Sequence, residues 1–234
     1  MLTDADRQLL LEGCSTLGIS LEDTAVAKFD KYGDLLIEAN RVMNLTRVPV
    51  EEMVSRHFLD SLVLASVWQA AAGTKLADVG TGAGLPGLPL AIAFPSIKVT
   101  LIEATLKKAK FLTGVVSELQ LPNVSVIHAR AEEISRMPQH SHAYGVVTAR
   151  AVAPMSKLAG WLLPLVDRRG FCAAYKSADA RREIEEAAEE IAKAGGRVDR
   201  LAEVTVPGCE TKRLIAFIVS APVPRHIKSS TAAG

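Results

Sequence analysis

The chain has 234 residues, 49% hydrophobic and 23% charged, enough to bury one substantial α/β core with a small extension. Its 27 Lys and Arg against 26 Asp and Glu exclude a global field that steers it to nucleic acid or an acidic membrane, so any basic binding surface has to be local. Cys14, Cys172 and Cys209 lie far apart without a CxxC spacing, which argues against a zinc site or a disulfide framework. With neither a signal peptide nor a membrane-spanning run, the expectation is a soluble protein of the reducing cytoplasm that needs no metal.

Thr3 with Asp6 reads as a capping box, followed by Leu9, Leu10, Cys14 and Leu17 at helical spacing up to Gly18. Ser20 with Asp23 repeats the signal and opens a second helix, with Ala25, Phe29, Tyr32 and Leu36 on one face, that runs to about Asn40. A third helix is expected from Pro49, with Met53, Val54, Phe58, Leu62 and Leu64 roughly on one side. From Lys75 the pattern changes to short β-rich runs alternating with helical stretches. The runs are Lys75 to Val79, Lys98 to Ile102, Val124 to Ile127, Gly145 to Thr148 and Gly170 to Tyr175. Helices are expected near Pro86 to Ala93, Thr105 to Leu119, Pro154 to Leu165 and Asp179 to Ala194. That alternation predicts a parallel sheet covered on both faces. Two last runs, Val198 to Val206 and Leu214 to Val219, flank a Pro207-Gly208 turn and bring the sheet to seven strands. The expected division is a helical extension over 1–70, an α/β domain over 71–221 and a disordered tail over 222–234.

The first strand runs into Gly80, Gly82, Gly84 and Gly87 and then a helix. Such glycines let the backbone approach a ligand closely. Gly82-x-Gly84-x-x-Gly87 satisfies the dinucleotide fingerprint and by itself leaves nicotinamide cofactors and S-adenosylmethionine both open. Two carboxylates favour the latter. Glu103, closing the next strand, can accept hydrogen bonds from both ribose hydroxyls of either cofactor. Asp78, at the entry to the loop, repels a pyrophosphate and suits an ammonium and a sulfonium.

Several segments together resemble the small-subunit ribosomal RNA methyltransferase G family, also known as glucose-inhibited division protein B. They are Asn44-Leu45-Thr46, Arg56-His57-Phe58-Leu59-Asp60-Ser61, Asp78 through Gly87, Arg130-Ala131-Glu132-Glu133 and Arg150-Ala151. The resemblance spans nearly the whole chain. It implies a Rossmann-like S-adenosylmethionine-dependent methyltransferase sheet, mostly parallel, with the N-terminal helical extension. It also implies methyl transfer to N7 of a guanine in the decoding-region loop of 16S rRNA, free or in the small ribosomal subunit particle, by a protein expected to be a monomer. Cofactor contacts are implied at Gly80, Leu85, Ala131, Glu132 and Arg150, to which the loop reading adds Asp78, Gly82 and Glu103. Lys212-Arg213 matches the family only loosely and is given no role.

Absences narrow the acceptor. The place after the fourth strand reads Thr148-Ala149-Arg150-Ala151 rather than the Asn/Asp-Pro-Pro-aromatic segment of adenine amine methylation, and Cys172 sits inside an apolar strand, where it suits a core better than a nucleophile. Guanine N7 attacks with its lone pair and needs no general base, so positioning and electrostatics suffice. Arg150 is the expected positioning residue, with Arg56 and His57 toward the substrate and Asp60, at helical spacing from both, orienting them. Arg41, Arg47, Arg56, Lys107, Lys108, Lys110 and Lys176 are candidates for RNA phosphates, and Tyr32, Phe58 or Tyr175 can stack on bases only if exposed. A methyltransferase acting on another RNA or a small molecule, a nicotinamide oxidoreductase and a non-catalytic RNA-binding module are the competing readings.

Overall fold

A computed structural model describes residues 2–210 and 212–221. The tail expected from Pro222 therefore lies outside the described residues. Helix α1 (Asp4–Thr16) opens with the Thr3 capping box, in which the Thr3 hydroxyl accepts from Asp6 N while the Asp6 carboxylate accepts from Thr3 N. Helix α2 (Asp23–Met43) starts without the second box. Its cap is Glu22, with no side-chain hydrogen bond, because the helix begins at Asp23 and leaves Ser20 outside the first turn.

The third predicted helix is not one helix. A 3₁₀ turn (Val50–Glu52), a π-helical turn (Val54–Leu59), the short α3 (Asp60–Leu62) and a second 3₁₀ turn (Val63–Ser66) follow one another. The reason is burial on every side: from Met53 to Leu64 all residues are buried except Arg56. A segment enclosed all round has no solvent face to keep a regular period.

The remaining elements are β1 (Lys75–Val79), α4 (Gly87–Ala93), β2 (Lys98–Glu103), α5 (Leu106–Glu118), β3 (Val124–His128), α6 (Ala131–Ile134), β4 (Tyr144–Arg150), α7 (Met155–Leu162), β5 (Val166–Ser177), α8 (Arg181–Glu186), α9 (Ala188–Lys193), β6 (Gly196–Thr205) and β7 (Lys212–Ser220). The sheet order is β3-β2-β1-β4-β5-β7-β6. Pairs from β3 through β5 are parallel, whereas β7 runs antiparallel between β5 and β6. The single helix expected over Asp179 to Ala194 is two, α8 and α9, and the turn α6 was not foreseen.

Successive crossovers leave β1 toward β2 on one side and toward β4 on the other, so the order reverses between β1 and β4. In an open α/β sheet the ligand crevice lies at the carboxyl ends of the strands at such a reversal. The extension and the sheet share one apolar cluster, in which Leu10, Phe29, Tyr32 and Phe58 pack with Leu76, Leu88, Leu101 and Leu112. A second cluster under α7, α8 and α9 covers the opposite face.

Buried Tyr32 on α2 donates its hydroxyl to the carbonyl of Ala83, 2.8 Å away in the glycine loop. Tyr32→Phe leaves that buried carbonyl without its donor. The expected loss is about 1–2 kcal/mol, measured as a lower urea midpoint at unchanged slope. An unchanged midpoint contradicts the tether.

Candidate functional site

At the carboxyl edge of β1 the chain turns through Gly80 and Gly82, both at positive φ (67° and 61°). A Cβ at Gly80 would sit 2.8 Å from Val152, whereas one at Gly82 would find only the Gly80 carbonyl, at 3.9 Å. Gly80 is therefore a packing glycine, and Gly82 leaves open space beside the loop. Glu103 ends β2 and holds the loop through its carboxylate. Its Oε2 accepts from Gly82 N at 2.9 Å and its Oε1 from Thr105 N at 2.7 Å. Leu85 is buried in the apolar cluster, so only its backbone faces the loop, its N–H donating to the Thr81 carbonyl.

Asp78 lies deeper than the sequence suggests. Its carboxylate is wholly buried and accepts from Thr81 Oγ1 (2.6 Å), Gly87 N (2.9 Å) and Thr148 Oγ1 (3.0 Å). It therefore caps the start of α4 and fastens the loop to β4, instead of lying at the loop's mouth. Loss of solvent pushes its pKa up to about 6, against the opposing hydrogen bonds from Thr81, Gly87 and Thr148.

Ala131 and Glu132 form the first turn of α6 beyond β3, with Ala131 half-buried and Glu132 exposed. They stand on the same carboxyl edge as the glycine loop, two strands away from β1.

Beyond β4 a cleft of about 410 Å³ is lined by Arg56, His57, Asp60, Arg150, Lys176 and Arg213, among others. Asp60 is buried and holds two arginines. Arg150 Nη1 reaches its Oδ2 at 2.7 Å, while Arg213 grips both oxygens, Nε to Oδ1 at 2.5 Å and Nη2 to Oδ2 at 3.0 Å. This corrects the expectation that Asp60 orients Arg56 and His57. Arg56 turns outward to Glu52, and Asp60 turns inward to strands β4 and β7. It also gives Arg213 a structural place that the sequence had not. No local pattern marks Arg213; the antiparallel pairing of Ser177 with Arg213 brings it in.

His57 is buried, with Nε2 2.7 Å from Thr46 Oγ1 and Nδ1 3.1 Å from the Arg56 carbonyl. Burial, reinforced by the positive charge of Arg150, pushes its pKa down to about 4, so it is neutral near pH 7. Lys176 Nζ bonds Glu183 and the Ala153 carbonyl, which removes it from the set of phosphate candidates without a protein partner. Tyr175 donates to the Ser61 carbonyl at 2.8 Å, and Tyr32, Phe58 and Tyr175 are all buried, so none offers a stacking platform. Cys172 is wholly buried in β5, and burial raises its thiol well above the usual range. Ala151, directly after Arg150, adopts φ 56°, a left-handed conformation that L side chains rarely take.

The fold and the glycine-loop edge define a protein of the Rossmann-like methyltransferase class. Among solved structures, the chain is similar to an S-adenosylmethionine-dependent methyltransferase from Aquifex aeolicus (TM-score 0.54, 17% identity, 72% of this chain and 93% of that one). It is also similar to the [4+2]-cyclase SpnF (TM-score 0.56, 14% identity, 75% and 84%). At these identities the likeness concerns fold alone, and a cyclase among the neighbours illustrates that the fold does not set the reaction. Sequence is more specific. The profile described as rRNA small subunit methyltransferase G matches residues 25–214. The ribosomal RNA small subunit methyltransferase G of Roseiflexus sp. (strain RS-1) is 42% identical over 215 residues, 92% of each chain. Its counterpart from Lachnoclostridium phytofermentans is 38% identical over 214 residues, 91% of this chain and 88% of the other. The chain belongs to the rRNA small subunit methyltransferase G family.

The raised pKa of Asp78 has a sign that can be measured. Between the ordinary 3.8 and the folded value of about 6, the native protein keeps a proton that the unfolded chain has released. The contribution of this group to stability therefore falls as pH rises through that window. Comparing wild type with Asp78→Asn by urea denaturation at pH 4 and pH 6.5, wild type should lose about 2–3 kcal/mol more than the variant. A difference that stays constant across the window would show that the carboxyl titrates normally.

Proposed function

We propose that this protein transfers the methyl group of S-adenosylmethionine to N7 of a guanine in the decoding-region loop of 16S rRNA. The observation that carries this reading is the meeting of two parts at one edge of the sheet. One is a glycine loop with an open position at Gly82, whose N–H donates to Glu103; the other is an arginine-lined cleft whose histidine is held neutral. The residues fit the cofactor: Glu103 brings two carboxylate oxygens to where a ribose would lie, Gly80, Gly82 and the Leu85 backbone form the loop around it, and Ala131 and Glu132 border the adenine side. Asp78 acts indirectly, by fixing the loop. When bound, S-adenosylmethionine would supply an activated methyl group: N7 would donate its lone pair to the methyl carbon as the carbon–sulfur bond breaks, and the neutral thioether of the spent cofactor would be the leaving group.

The chain's own work is then to hold and orient. No proton is lost from N7, so neither His57 nor a carboxylate has to accept one. Arg150, anchored through Nη1 to Asp60, is placed to set the guanine edge or the cofactor carboxylate, and Arg56 stands at the rim of the same cleft. His57 positions Thr46 and the Arg56 backbone. In this reading residues 1–70 form the RNA-side wall and 71–221 the cofactor-binding unit. Arg41, Arg47 and Lys110 are exposed near that wall, and Lys107 reaches the Val42 carbonyl from α5. The substrate places the enzyme in the cytoplasm, in line with the absence, among the described residues, of any helix long and apolar enough to cross a membrane. We take it to act as a monomer without a metal ion.

The test is labelled methyl transfer to small-subunit particles and to naked 16S rRNA, followed by chemical cleavage at 7-methylguanine. The label should map to one guanine; label spread over several sites or none rejects the proposal. Arg150→Ala should lower turnover by about 10²–10³, with the fold kept because Arg213 still neutralises Asp60. Wild-type turnover and cofactor affinity in that variant would remove Arg150 from its role.

A further inference from the structure

The opposite edge of the sheet, where the parallel strands begin, carries a second cleft that the methyl-transfer reading does not use. Its volume is about 640 Å³, and its lining includes Lys75, Lys98, Thr100, Ser125, His140 and Tyr144. The cleft exists because the helix after β3 is too short to cover it. Four residues of α6 extend about 6 Å, against about 17 Å for the five residues of β3. The sheet face left bare is polar. Thr100 is half-buried, Ser125 is exposed and their hydroxyls lie 3.3 Å apart. Tyr144 is buried, with its hydroxyl 2.7 Å from His140 Nδ1. Burial lowers the pKa of His140, so it serves as a neutral hydrogen-bonding group.

The cations here form a row. Lys75 and Lys98 are register partners at the first positions of β1 and β2. On the same edge, residues 167–170 of β5 bulge opposite Gly145, because Tyr144 pairs with Val166 and Val146 with Phe171. Arg168 and Arg169 ride on that bulge. All four cations are exposed, and among the described residues none of them joins an ion pair. Asp167 sits among them, with Oδ1 accepting from Arg169 N at 2.8 Å. From β2 to β5 is three strand spacings, about 14 Å, long enough to lie against more than one phosphate of a nucleic-acid backbone.

We propose that this basic row and its hydroxyl-lined cleft dock the sugar-phosphate backbone of the rRNA substrate, as a second contact remote from the methyl-acceptor cleft. The proposal rests on the rRNA reading above. Charge complementarity selects the occupant: four unpaired cations and neutral hydrogen-bonding groups suit a polyanion, and the open trough suits a strand running past. Such contacts add affinity without sequence information.

The experiment measures binding separately from catalysis. Filter binding to full-length 16S rRNA and to a short hairpin carrying only the acceptor loop is recorded from low to moderate salt, for wild type and for Lys75→Gln/Lys98→Gln/Arg168→Gln/Arg169→Gln. For 16S rRNA the variant should bind about tenfold more weakly, with a log–log salt slope shallower by about 2–3. Hairpin binding and kcat at saturating RNA should not change. A variant retaining charge, Lys75→Arg/Lys98→Arg/Arg168→Lys/Arg169→Lys, should restore affinity and slope, which separates lost charge from lost structure. Equal affinity and slope in wild type and the glutamine variant overturn the proposal. So does thermal stabilisation of wild type alone by inorganic phosphate with rRNA affinity unaltered, which would define a small-anion site. If wild type binds rRNA through this row yet methylates none, the failure belongs to the methyl-transfer reading, because binding is read without turnover.

Discussion

The site depends on two buried carboxylates that cannot be left unpaired. An ionised group enclosed in protein is tolerated only with charge partners or several donors. Asp78 meets the condition with hydrogen bonds from Thr81, Gly87 and Thr148, and Asp60 with two arginines. Thr148 and both arginines come from strands far along the chain, whereas Thr81 and Gly87 belong to the glycine loop that follows Asp78. The carboxylates therefore fix how the glycine loop, β4, β7 and the extension meet, and the two clefts of the active edge follow from that arrangement.

The contrast between the two clusters clarifies the chemistry. Around Asp78 burial outweighs the opposing hydrogen bonds of neutral donors, so the carboxyl stays weakly acidic and serves as scaffolding. Around Asp60 the donors are cations in excess, so the cleft keeps a positive character that suits an RNA base attached to a phosphate chain. A neutral His57 in the Asp60 cleft adds direction without a competing charge. Such a site can hold a nucleophile that arrives ready to react, and it contains no obvious relay for a proton.

Much of this was legible in the sequence where the signal was local. The alternation from Lys75 onward specified seven strands and the helices α4, α5 and α7, the Thr3 box formed as read, and the loop from Gly80 to Gly87 with Glu103 lay at the expected edge. What failed was non-local. The stretch from Val50 to Ser66 read as one amphipathic helix because its apolar spacing is nearly helical, yet it is enclosed on all sides and breaks into shorter turns. Arg56 and Asp60 have the spacing of an ion pair, but a deeper attraction to Arg150 and Arg213 takes Asp60 away. Arg213 offered only a loose family match and was given no role, since its place arises from strand pairing across most of the chain.

The grip of Arg213 on Asp60 also has a consequence for biosynthesis. Arg213, on β7, leaves the ribosome 153 residues after Asp60. Until β7 inserts between β5 and β6, a carboxylate bound for the interior has only Arg150 beside it, and the substrate cleft lacks a wall. The cleft around Asp60 is therefore complete only once β7 has been made and has paired with β5.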